Sequence, residues 1–68
     1  MNKTNTSLYR VVNEKNEPTI MVAFRSIDEE SRVKQSMYSV VGRFARGFFR
    51  AQVLKNDEWV NTDITLNL

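Results

Sequence analysis

Between Ser26 and Gly47 the chain carries both ends of a helix and the apolar stripe that joins them. In SIDEESRVKQSMYSVVGRFARG, Ser26 and Glu29 have the spacing of a capping box, in which two side chains bond amide hydrogens left free at a helix start. Asp28, Glu29 and Glu30 fall in the first turn, where the helix dipole favours negative charge. Arg43 and Arg46 fall in the last turns, where it favours positive charge. Gly47 stands where a left-handed residue stops a helix. Val33, Met37, Val40, Val41 and Phe44 recur at helical spacing and make one face. The pattern predicts a helix of about 20 residues, roughly 30 Å long, with Gly42 inside it. A helix with one apolar face needs an apolar surface to lie on.

Each flank reads as a hairpin that supplies part of it. On the C-terminal side, FFRAQVL and WVNTDITL are separated by KNDE. Pairing Leu54 with Trp59 sets Val53 opposite Val60, Ala51 opposite Thr62 and Phe49 opposite Ile64, an apolar face. The same register sets Arg50 opposite Asp63 on the other face. On the N-terminal side, LYRVV and TIMVAF flank the turn-rich NEKNEP. Pro18 belongs at the start of the second strand, since it has no amide hydrogen for a ladder. Ile20, Val22 and Phe24 should face inward. In strand one either Tyr9 and Val11 or Leu8 and Val12 could do so, because a one-residue slip swaps them.

The expectation is one small α+β domain over residues 1–68, of order ββαββ. A four-stranded sheet has one long central helix packed on one face, and residues 1–6 form a flexible arm. The length of the helix suits a crossover that leaves strands two and three parallel.

The residue inventory removes most chemistries. No cysteine means no disulfide or thiolate metal site, and no histidine removes the commonest metal ligand and the usual near-neutral acid–base group. The remaining polar residues fall into no recognisable catalytic arrangement, so neither enzyme activity, nor a small-molecule substrate, nor a cofactor is expected. Asp28, Glu29 and Glu30 read as dipole partners rather than metal ligands. Gly42 to Gly47 has the glycine spacing of a phosphate loop without its following lysine. A chain of this size buries only about 60% of its unfolded surface, and oligomerisation is the remaining way to bury more. No window reaches the ~18 apolar residues of a membrane span, and MNKTNTS is not a signal peptide, so a cytoplasmic location is expected.

Two surfaces are left for function. On the helix, Arg32, Ser36, Ser39, Arg43 and Arg46 lie opposite the apolar stripe, and residues 31 to 56 hold six basic residues and no acidic one. Guanidinium forks and hydroxyls suit phosphate oxygens; the plainer reading is a solvated helix face. On the sheet, the side away from the helix displays Phe48, Arg50, Gln52, Leu54, Trp59 and Asn61, with Met21, Ala23 and Arg25 from strand two. Aromatics beside arginines can stack unpaired bases, and the same composition makes an interface core with a polar rim. The Arg50–Asp63 pairing weighs against phosphate, because a neutralised arginine attracts it less.

Arg46, Gly47 and Phe48 resemble the opening of the RNA-recognition sheet motif. Phe49 then stands where that motif has a small residue, Ala51 and Val53 depart from it, and its fold has two helices. The chain is therefore assigned to no family. The expected function is a small non-enzymatic protein-binding module, docking through Phe48, Arg50, Gln52, Trp59, Asn61 and Met21 on a protein partner or as a homodimer. A short chain without catalytic inventory is of the kind that phages and mobile elements use to block host proteins. The alternative is nucleic-acid binding through the basic helix face and the sheet aromatics.

Overall fold

The structure is a computed structural model that describes residues 5–18 and 23–68. Strands β1 (Thr6–Val12), β2 (Phe24–Ile27), β3 (Phe48–Lys55) and β4 (Glu58–Asn67) and the helix α1 (Glu30–Val41) form an α+β fold. The sheet is antiparallel throughout and ordered β2-β1-β3-β4. β2 and β3 both run against β1, so they point the same way with β1 between them.

The register decides which side of each strand meets the helix. Tyr9 pairs with Phe24 and Val53, Val11 with Ala51, and Phe49 with Leu66. Those residues share one buried cluster with Val33 and Met37 of α1, and Phe24, Val40, Val41, Ala45 and Ile64 pack around it. Tyr9 and Val11 are thus the inward pair of β1. Full burial of Val11, Val33 and Met37 stabilises the fold by about 1.5–3 kcal/mol per side chain. Val12 is also shut from solvent, yet it lies on the other side of the strand, opposite Arg50, and outside that cluster.

The helix is shorter than its sequence pattern, 12 residues instead of about 20, and both ends differ. At its start, β2 captures Ser26, which is buried and paired with Ser7. There is no capping box: Glu29 is the N-cap, in extended conformation, and its side chain caps nothing. Asp28 is drawn to the sheet as well. Its backbone N–H donates to the Asn5 carbonyl, and its carboxylate accepts from Ser7 Oγ at 2.9 Å and Tyr9 Oη at 2.7 Å. Only Glu30 is left in the first turn, where it pairs with Lys34 at 3.3 Å. At the far end Gly42, not Gly47, stops the helix, with φ +84° and its N–H on the Tyr38 carbonyl. Glycine in a helix interior costs about 1 kcal/mol relative to alanine, and between Gly42 and Gly47 only Ala45 packs on the core. Gly47 still adopts a positive φ, 110°, at the entry to β3.

The second strand is shifted as well. It begins at Phe24, where the alternation predicts it to end, and Pro18, itself exposed, precedes it outside any strand. Ile20, Met21 and Val22 lie outside the described residues. Residues 1–4 lie outside them too, and Thr6 at the end of the expected arm is already paired, with Ile27.

The C-terminal hairpin keeps the expected register near its turn. Asn56 and Asp57 both have positive φ, 51° and 66°, and between them Lys55 meets Glu58, Leu54 meets Trp59 and Val53 meets Val60. A two-residue turn of that hand matches the twist of the flanking strands. Past Gln52 and Asn61 the register slips, and Arg50 faces Thr65 rather than Asp63. Two extra residues of β4 bulge opposite Ala51. Thr62 holds the bulge: its Oγ1 donates to the Ala51 carbonyl at 2.7 Å and accepts from the Ile64 N–H at 3.1 Å. Because the insertion is even, Leu66 still points into the core.

Candidate functional site

The side of the sheet away from α1 is built from the alternate residues of four strands. Leu8 and Arg10 come from β1, Arg25 and Ile27 from β2, Phe48, Arg50, Gln52 and Leu54 from β3, and Trp59 and Asn61 from β4. The face therefore gathers five of the six residues expected to dock a partner; the sixth, Met21, lies outside the described residues.

At its centre is a hydrogen-bonded row. Arg10 Nε donates to Gln52 Oε1 at 2.7 Å, and Gln52 Nε2 donates to Asn61 Oδ1 at 2.8 Å. The cross-strand pairs Arg10–Gln52 and Gln52–Asn61 make this row geometric, since directly opposed side chains on one face lie within reach. Gln52 is only 7% exposed, and both ends of its amide are satisfied. That fixes the orientation of the Arg10 fork, whose carbon lies 4.7 Å from the centre of the Trp59 ring. Cation and aromatic face attract through the ring quadrupole.

A second unit repeats the theme. The Arg50 guanidinium stands 5.5 Å from the centre of the Phe48 ring and donates through Nη1 to the Thr62 carbonyl at 2.8 Å. The expected Arg50–Asp63 ion pair is absent, because the bulge carries Asp63 past its partner. The face consequently has three arginines, Arg10, Arg25 and Arg50, and the alternation of β4 leaves Asp63, in the bulge, on the same side as Asn61 and Thr65. Trp59 and Phe48 are half-buried rather than fully displayed.

The five residues expected to bind phosphate do not form one surface. Arg32, Ser36 and Ser39 remain on α1, Arg32 and Ser39 exposed and Ser36 half-buried. Arg43 and Arg46 leave the helix at Gly42 and sit on the loop 42–47, where Arg46 Nη1 folds back to the Ala45 carbonyl at 2.8 Å. Phe44, read as core, stands between them 86% exposed.

Two further residues were not singled out from sequence. Arg10 follows from the periodicity once Tyr9 and Val11 are known to face inward. Phe44 follows from the first glycine after the stripe, had Gly42 been taken as the stop. No family model, curated protein or solved structure matches the chain. Among the described residues, no helix is long and apolar enough to cross a membrane.

Proposed function

We propose that this protein is a non-enzymatic binding module that docks through the sheet face around Trp59 on another protein and acts by covering the surface it occupies. The observation that carries this reading is the row Arg10–Gln52–Asn61 with Arg10 laid over Trp59. Buried tryptophan and arginine anchors dominate interface energies, and anchors already held in place lose less freedom on binding. Three arginines against the single carboxylate of Asp63 fit a partner that presents acidic groups around an apolar centre. A second copy is a poorer match, because a two-fold interface sets the same patch against itself and would bring guanidiniums together.

Nucleic acid is the second reading, favoured by the excess of arginines over carboxylates on this face. Against it, both aromatic rings already carry a guanidinium, so neither offers an open platform for a base.

The test is affinity capture from cells in which the protein naturally acts, using the intact protein, Trp59→Ala and the double variant Arg43→Gln/Arg46→Gln. A protein retained by the first and third and lost with Trp59→Ala, unchanged by nuclease, is the expected result. Capture that nuclease abolishes, and that weakens steeply with salt, transfers the function to nucleic acid. Light scattering across a tenfold concentration range should return a monomer at both low and high salt.

A further inference from the structure

At the outer edge of the sheet, where Arg25 and Ile27 border the docking face, Arg25, Ser26 and Ile27 of β2 and Arg32, Gln35 and Ser36 of α1 line one recess of ≈ 230 Å³ between the edge strand and the helix. Two guanidiniums from different elements thus border a single cavity. Neither has an ion-pair partner among the described residues. Of the nearby carboxylates, Asp28 accepts from Ser7 and Tyr9 and Glu30 pairs with Lys34, while Glu29, whose side chain makes no cap bond, lies outside the lining. No carboxylate lines the recess. Two like charges sharing a small cavity repel, and an anion between them removes that repulsion.

We propose that this recess is an oxyanion subsite that takes a phosphate group. The guanidinium forks of Arg25 and Arg32 present paired N–H donors to its oxygens, the geometry in which arginine binds phosphate. Neutral donors complete the set: the Ser36 hydroxyl and the Gln35 amide. Ser26 already donates its hydroxyl to the Ile27 carbonyl at 3.0 Å, so it shapes the wall rather than supplying a proton. The volume selects the size of the ligand. Sites that enclose whole small molecules run to about 300–1,000 Å³. This one holds a phosphate group with little of whatever carries it. Arg43 and Arg46, on the loop beyond the helix, have no part in it.

The experiment is a titration of isotope-labelled protein with inorganic phosphate at constant ionic strength, read by the amide and arginine Nε–H signals. Expected are saturable shifts confined to Arg25, Arg32, Gln35, Ser36 and their neighbours. Arg25→Gln and Arg32→Gln should each weaken binding about tenfold, the loss of one charge-assisted hydrogen bond. Both side chains are exposed, so both variants should fold. Arg43→Gln/Arg46→Gln should stay within about twofold of the unsubstituted protein, since surface charges act only weakly at a distance in salt. Shifts that never saturate, that spread over all basic residues, or that survive Arg25→Gln and Arg32→Gln overturn the proposal. Parallel titrations with O-phosphoserine and thymidine 5′-monophosphate identify the bearer as whichever binds more tightly than the free ion; if neither does, the free ion is the ligand.

Discussion

Arg10 on β1 reaches across β3 to cover the ring of Trp59 on β4, 4.7 Å from its centre. Three strands are thereby tied on one face, with the Gln52 amide as the middle link. A double-mutant cycle of Arg10→Ala and Trp59→Phe, read by urea unfolding, should give a coupling of about 0.5–1 kcal/mol. Coupling near zero would mean that Arg10 is free in solution and that the face is not held ready for a partner.

Tyr9 gives the fold a limit at high pH. Its hydroxyl is pushed up to about 12, first by burial and then by the hydrogen bond and negative charge of Asp28. The folded state prefers the neutral phenol, whose ordinary value is about 10. The stabilisation is therefore whole below pH about 10 and is lost as pH rises from there through about 12. Tyr9→Phe should be less stable at neutral pH by about 1–3 kcal/mol, having lost a hydrogen bond to a charged acceptor. It should also lack this alkaline loss, and unfolding midpoints at pH 8 and pH 11 for both proteins check both statements.

The turn at Asn56 and Asp57 stores a small strain. Both residues are non-glycine with positive φ, where a side chain crowds the backbone. Asp57→Gly should raise stability by about 0.5–1 kcal/mol in a thermal melt, since glycine adopts that conformation without penalty. A fall would show that the Asp57 side chain contributes to the turn.

Met37 and Phe44 belong to one apolar stripe in the sequence and have opposite fates. Met37 is fully buried, and Met37→Ala should cost about 2–5 kcal/mol, enough to unfold much of so small a domain. Phe44→Ser, at a side chain 86% exposed, should change stability by no more than about 0.5 kcal/mol. Circular dichroism and urea midpoints of the two variants separate them directly.

These residues also mark where the sequence could be read. Alternation within β3 and the two-residue turn identify the face with Phe48, Arg50, Gln52, Trp59 and Asn61, because the register is local there. The limits of the helix could not be read the same way. Ser26 and Asp28 suit a helix start by type, but Ser7 and Tyr9 recruit them to a strand, a contact between distant segments that no local pattern encodes. Gly42 and Gly47 are both competent stops, and the first prevails because only one of the residues between them, Ala45, packs on the core. The slip at Thr62 was invisible for a different reason. An even shift leaves the apolar alternation intact, so both registers look equally good on paper.

That evenness governs how this hairpin could change length. Removing a single residue from 62–64 would turn the end of β4 over, presenting Thr65 and Asn67 to the helix and Leu66 to water. Removing two would straighten the strand and leave every later side chain on its present side. Variants of this protein should therefore gain or lose residues here in pairs, and a library of deletions sorted by folding would alternate between survivors and failures.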